Sequence, residues 1–226
     1  MATSGTTTYS LTARQLVEYA LKKINMVPAN QSPSAQMAER ALTEMNVMLK
    51  RWQMHPAIWR TTEGAASTVA GTAAVSLSAL NPFRVIDVRY RNPDSGHDIE
   101  TMELTRQEYQ RLPNKTTTGT PTQYFFDHQR ASSTLYVWPV TADAQADAIR
   151  ITYQRRFDDV TDLSQDVDIA QEHLDTVGHN LAARLADDYG RSGEHINRII
   201  QRAAVMFEQM QDFDRPEVIR FTPDVR

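Results

Sequence analysis

The spacing of apolar residues changes twice along this chain, and these changes limit the fold more than any other feature. Residues 12–52 and 174–213 carry apolar side chains every three or four positions, which is the period of an amphipathic helix. Residues 58–159 instead carry partly alternating β-branched and aromatic runs, separated by glycine and proline, as is typical of short strands. We therefore expect an α+β chain, with a helical body built from both ends and a β-rich antiparallel insert.

Two helices are predicted in the N-terminal region. The first runs from Thr12 to Met26 and is closed by Pro28. The second is expected to begin with Ser32 as N-cap and Pro33 in the first helical position, and its apolar face continues to Trp52. Because isolated helices of this length are marginal in water, the two should pack as a hairpin and bury Trp52.

Two more helices are predicted after the insert. One runs from Leu174 to Tyr189, with Gly190 placed as its C-terminal stop, and the next carries an apolar stripe as far as Phe213. Leu181 and Leu185 lie on the apolar face of the first of these helices and are expected to be buried. The N-terminal and C-terminal pairs should pack on each other as a helical bundle.

The middle of the chain predicts strands and one short helix. Thr105 is the expected N-cap of that helix, and Glu108 stands three residues later in capping-box spacing. The strand-like runs are 73–77, 84–90, 123–126, 134–138 and 148–153. The predicted domains are a helix hairpin (1–57), the β-rich insert with an acidic link (58–168), the completing helices (169–213) and an extended C-terminal arm (214–226).

Composition excludes several classes of protein. The chain has no cysteine, which removes disulfides, thiolate catalysis and cysteine-ligated zinc. With 24 basic and 28 acidic residues, its formal charge of −4 argues against a tight, general DNA binder. No stretch approaches the ~18 apolar residues of a membrane helix, and the first residues lack an export signal, so a cytosol-like compartment is expected. The early basic residues are interpreted as solvated helix faces: Arg14, Lys22, Lys23, Lys50 and Arg51.

No motif for catalysis or cofactor binding stands out. His173 and His179 are six residues apart on one predicted helix, lack metalloprotease spacing and are expected to be solvated. The aspartates of the link from Asp158 to Asp168 lack the EF-hand pattern and are interpreted as an acidic approach to a helix N-terminus. A phosphate loop and a nucleophile elbow are both missing, so we expect no catalytic residue, no metal and no cofactor. Glycosidase carboxylates leave no linear signature, which keeps a cell-wall glycosidase open as an alternative.

The last thirteen residues, 214–226, have two prolines but keep several apolar side chains. Two interpretations are open: a frayed terminus, or an extended arm that docks on a partner.

Four segments, taken in order, resemble the head-to-tail adaptor family of tailed bacteriophages, also called connectors or tail accessory factors. The similarity covers roughly residues 10–213, and each segment is a packing pattern and not a catalytic motif. The segments are the helix end 41–52 with Trp59 after it, the stretch 119–124, the hairpin 135–139 to 149–157, and the helix 180–190.

The resemblance implies a non-enzymatic structural protein of the virion. Copies are expected to form a ring, conventionally twelvefold, that binds the portal protein at the head–tail junction and supports downstream tail or nozzle proteins. Genomic DNA would pass through the ring during ejection without specific binding, and assembly would take place in the host cytoplasm, with no membrane involved. The resemblance also favours the docking arm, with Ile219 and Phe221 as apolar anchors and Arg220 and Arg226 pairing with acidic groups. Another virion component, such as a tail terminator, remains an alternative.

Overall fold

The computed structural model describes Gly5 and residues 8–55, 61–129 and 132–213, and the chain divides into two compact units. One unit is Met1–Trp59 together with Phe157–Arg226, and the other is Arg60–Arg156. The predicted α+β class is confirmed. In chain order the helices are α1 (Ala13–Lys23), α2 (Ala35–Trp52), α3 (Arg106–Arg111), α4 (Leu174–Asp188), preceded by a 3₁₀ turn (Gln171–His173), and α5 (Glu194–Phe213).

The two N-terminal helices begin at capped residues. Thr12 caps α1 in a capping box, because its hydroxyl accepts from the Gln15 amide while the Gln15 side chain accepts from the Thr12 amide. The predicted start of α2 was wrong by two residues. Ser34, not Ser32, is the N-cap: its backbone is extended and its hydroxyl accepts from the Met37 amide at 3.4 Å, so the helix begins after Pro33.

Helix α4 is central to the helical unit, since it packs against α1, α2 and α5. Leu181 and Leu185 on α4 are fully buried, and Trp52 on α2 is buried with them in one apolar core, as predicted. The helix ends at Asp188 with Tyr189 as its C-cap, and the next residue, Gly190, has a φ of 59°. There the Gly190 amide donates to the Asp187 carbonyl and the Arg191 amide to the Ala186 carbonyl, a Schellman arrangement that satisfies the last carbonyls.

The acidic link lies against the start of α1. The amides of Ala13 and Arg14, which lack partners within the helix, donate to the carbonyls of Gln165 and Leu163 at 2.8 and 2.9 Å. The link therefore does approach a helix N-terminus, and this helix is α1. The two hydrogen bonds are accepted by backbone carbonyls of the link and not by its aspartate side chains.

The second unit contains the short helix α3 and two four-stranded sheets that share an apolar core. Their orders are β1-β8-β3-β4 and β2-β7-β6-β5, and all pairings are antiparallel except that between β5 and β6. Buried residues from both sheets, such as Val88, Leu135 and Ile151, form the core between them. The strands are β1 (Thr61–Thr68), β2 (Ala74–Ser76), β3 (Arg84–Arg91), β4 (Asp98–Glu100), β5 (Met102–Glu103), β6 (Gln123–Asp127), β7 (Thr134–Trp138) and β8 (Gln145–Gln154).

The close contact between α1 and α4 depends on Gly178. A Cβ atom at this position would lie 2.6 Å from the ring of Tyr19, well inside van der Waals contact. Although alanine favours helices, we expect Gly178→Ala to lower the free energy of unfolding by about 1–3 kcal/mol, because the helices must separate. Urea denaturation measures this loss.

A double-mutant cycle with Tyr19→Leu tests the cause of that loss. If the ring is responsible, Gly178→Ala should cost much less when position 19 is leucine. A Gly178→Ala protein that is more stable than the wild type would show that the helices tolerate the methyl group.

Candidate interaction surfaces

The predicted partner-binding residues are Ile219, Arg220, Phe221 and Arg226. They lie outside the residues that the structure describes, so their role stays a prediction. Helix α5 ends at Phe213, and the predicted arm follows it directly in the sequence.

The prediction that His173 and His179 are solvated was wrong. Their exposed fractions are only 8% and 2%. The physical reason is the central position of α4, which is covered by helices on several sides: His179 is buried although it is off the main apolar stripe of α4, and His173 is buried in the 3₁₀ turn that leads into this helix. Within the described ranges, no group of three or more histidine, cysteine, aspartate or glutamate side chains could hold a metal ion.

His179 lies between a carboxylate and an ammonium group. Its Nδ1 is 2.9 Å from Oδ1 of Asp175, and its Nε2 is 3.0 Å from Nζ of Lys23. A neutral ring that donates from Nδ1 and accepts at Nε2 satisfies both neighbours. Lys23 also lies 4.8 Å from the centre of the Tyr19 ring, whose hydroxyl donates to Asp175 at 2.7 Å. This cluster holds the Lys23 side chain in place.

Burial lowers the pKa of His173 below its ordinary value. The folded protein therefore binds a proton at the His173 ring less readily than the unfolded chain does. As a result, the free energy of unfolding is unaffected by this group above about pH 6.5 and falls as the pH drops below that value. We expect the free energy of unfolding to be lower at pH 5.5 than at pH 7.5, as measured by urea denaturation at both values.

The control for this prediction is His173→Gln, which removes the titrating group. Carboxyl groups with lowered pKa, such as Asp98 and Glu108, lose their contribution only near and below pH 4, outside this window. An equal loss of stability in the wild type and in His173→Gln would assign the pH dependence to another group.

The β-rich unit has a cavity of about 310 Å³ on its first sheet, lined by three arginines and two acidic residues. Asp98 forms a two-pronged ion pair with Arg91, with N–O distances of 2.7 and 3.0 Å, and this hydrogen bonding lowers the pKa of the Asp98 carboxyl. Arg89 lies 3.2 Å from Glu63. Arg150 stands directly opposite Arg89 in the sheet, and its buried Nε has no hydrogen-bond partner among the described residues.

The sequence matches the family described as "SU10 adaptor protein" over residues 7–221, which is nearly the whole chain. The chain belongs to this adaptor family. The predicted resemblance to bacteriophage adaptors is therefore confirmed, and the chain is a structural protein of the phage particle. No curated protein matches the sequence.

In the arginine-lined cavity of this adaptor, most of the positive charge is paired within the unit, because Arg89 and Arg91 form ion pairs with Glu63, Asp87 and Asp98. Two arginines opposite each other in a sheet repel, and Arg150 forms no ion pair within the part of the chain that is described. An incoming carboxylate could pair with Arg150 in the fork geometry that guanidinium groups favour. Sequence analysis missed this site, because Arg89 and Arg91 are on β3 and Arg150 is on β8, and only the strand register brings them together.

Exposed apolar side chains on the adaptor are scattered. Met102 and Ile86 are exposed in the β-rich unit, and Val47, Ile200 and Val205 in the helical unit. Single exposed apolar residues are normal on soluble proteins, so they do not by themselves define a docking face. None of the helices in the described ranges is long and apolar enough to cross a membrane.

Proposed function

We propose that this chain is the non-enzymatic subunit of a ring that joins the portal protein of a DNA-filled phage head to the tail. The observation that supports this most is the adaptor-family match over residues 7–221. A subunit with this role needs extended surfaces and a stable core. The described residues offer both, and they contain no cluster of metal-ligating side chains.

The mechanism we propose is mechanical. Identical subunits, conventionally twelve, form many equivalent contacts with the portal, and the C-terminal residues 214–226 supply one contact from each subunit. Because each contact raises the effective concentration of the next, linked contacts gain ~10²–10⁴ in avidity, and weak single contacts suffice. The assembly takes place in the host cytoplasm and ends in the virion.

The ring would extend the DNA channel without gripping the DNA. The formal charge of −4 disfavours the release of counterions that drives general DNA binding, so DNA can slide through during ejection. On the β-rich unit, Arg150 in the arginine-lined cavity has no ion pair among the described residues, and this supports a contact with an acidic group of a tail or nozzle protein.

Electron cryo-microscopy of phage particles tests this proposal. Particles that carry a tagged copy should show the tag at the head–tail junction, and particles made without the chain should be DNA-filled heads that lack tails. A tag at the far end of the tail tube would instead indicate a tail terminator. Clearing of peptidoglycan by the purified protein, abolished by a single Asp or Glu substitution that leaves it folded, would indicate a glycosidase.

A further inference from the structure

A depression of about 380 Å³ in the helical unit collects positive charge between the end of α1 and the first half of α5. Lys22 and Lys23 come from α1, and Arg198 and Arg202 from α5. The remaining lining residues are two histidines, an asparagine and an isoleucine, with no carboxylate among them. We call this depression the cationic cleft. The residues that line the cleft carry four positive charges and no carboxylate, although the net charge of the chain is −4; Glu18 and Asp175 lie beside the cleft.

The two arginines of the cationic cleft have few stabilising contacts with charged or polar groups of their own subunit. Arg198 and Arg202 are exposed and stand four residues apart on α5, where like charges repel each other. Neither guanidinium group forms an ion pair or a hydrogen bond with another residue in the described ranges. Lys22 is the one lysine of the cleft with a carboxylate partner there, Glu18 at 3.3 Å. An anion from outside the subunit would therefore provide an ion-pair partner for the two neighbouring guanidinium groups.

Lys23 is held in place within the cleft. Nε2 of His195 donates to the Lys23 carbonyl at 2.8 Å, which ties α5 to the end of α1. The Lys23 ammonium group donates to Nε2 of His179 at 3.0 Å. Less side-chain entropy is lost on binding an anion when the cation is already ordered, so this arrangement favours a specific contact.

The chain also has an acidic surface that complements the cleft. Residues 158–168 contain five aspartates and no basic residue, and Asp158 and Asp162 are exposed. This acidic link is bonded to the first turn of α1, whereas Lys22 and Lys23 are in its last turn. Since α1 has 11 residues and is about 16 Å long, the two surfaces lie at opposite ends of one helix.

We propose that the cationic cleft binds the acidic link, 158–168, of a neighbouring copy of this chain. Closed rings use heterologous contacts, in which one surface of a subunit meets a different surface of the next, and opposite ends of α1 provide such a pair. The contact would also offset the repulsion among subunits that each carry a charge of −4. The inference rests on the proposed ring, and it names the surfaces that close it.

Charge reversal tests the contact in the full-length protein. R198E/R202E and, separately, D158K/D162K should each raise the concentration needed for ring formation at least tenfold, measured by mass photometry alone and on portal rings. Combining all four substitutions should restore assembly, because opposite charges meet again. R51E/R111E is the matched control: it changes the net charge by the same amount at exposed positions outside the cleft, and it should assemble like the wild type.

Three results would overturn this inference. If R198E/R202E forms rings at the same protein concentration as the wild type, the cleft is not part of the interface, although the proposed ring itself is not contradicted. The absence of wild-type rings even on portals would contradict the proposed function as well. If R198E/R202E forms rings like the wild type but loses a salt-sensitive binding to a short DNA duplex that the wild type shows, the cleft binds phosphate groups instead.

Discussion

Removal of residues 214–226 is expected to abolish co-sedimentation with portal rings and to leave the melting temperature nearly unchanged. The segment keeps Ile219 and Phe221 as apolar anchors, while Pro216 and Pro223 stiffen the free chain and reduce the entropy lost on docking. Burial of one phenylalanine is worth roughly 1.5–3 kcal/mol, and this contribution would be repeated at every subunit of a ring.

Substitutions in the full-length chain separate the anchors from the length of the segment. Ile219→Ser with Phe221→Ser should weaken portal binding nearly as much as the deletion, whereas Phe221→Leu should retain most of it. If the truncated protein joins portals as tightly as the full chain, residues 214–226 are a frayed end, and attachment must come from the helical unit.

Truncation of Leu185 is expected to be the most destabilising change considered for the helical unit. The side chain is fully buried on α4, at the centre of the core shared by α1, α2 and α5. Leu185→Ala should lower the free energy of unfolding by about 2–5 kcal/mol, through lost burial and the cavity left behind. Urea denaturation at a protein concentration too low for assembly measures this change.

Ile200→Ala is the control for the truncation of Leu185. Ile200 is 46% exposed on α5, so its truncation should change stability by about 0.5 kcal/mol or less. A loss at Leu185 no larger than the loss at Ile200 would mean that α4 is not the core helix of this unit.

The helices could be predicted from the sequence because their apolar stripes are long and regular. Leu16 and Ala20 on α1 and Ile24, its C-cap, repeat at helical spacing, and all three are buried in the structure. The capping box of Thr105 and Glu108 was also predicted and is confirmed: the Glu108 carboxylate accepts from the Thr105 amide at 2.7 Å. Local signals of this kind do not depend on the distant parts of the chain.

The strands were harder to predict because their partners are distant in sequence. Strand β1 (Thr61–Thr68) contains three threonines, two alanines and one glycine and was missed, yet it pairs along much of β8. Gly64 in β1 allows the close approach of Leu80 and Tyr153, since a Cβ there would meet both at about 3 Å. Ile86 is the extra residue of a bulge in β3, which turns it outward and shifts the alternation that a sequence pattern assumes.

The arginine-lined cavity and the cationic cleft could not be predicted, because tertiary packing creates them, whereas the acidic link is a continuous run of the sequence. Lys22 and Lys23 looked like the solvated end of one helix, and nothing in the sequence places them beside Arg198 and Arg202, which are more than 170 residues away. The burial of His179 likewise depends on how α1 packs on α4.

The mass and symmetry of the assembled particle test the ring proposal most directly. The purified protein, a chain of 25.7 kDa, should be measured alone and after mixing with portal rings, by native mass spectrometry and by electron cryo-microscopy class averages. We expect the mixture to contain portal rings that have gained one closed ring of this chain, conventionally of twelve copies. Portal rings that keep their own mass, beside a chain that remains monomeric, would contradict the proposal.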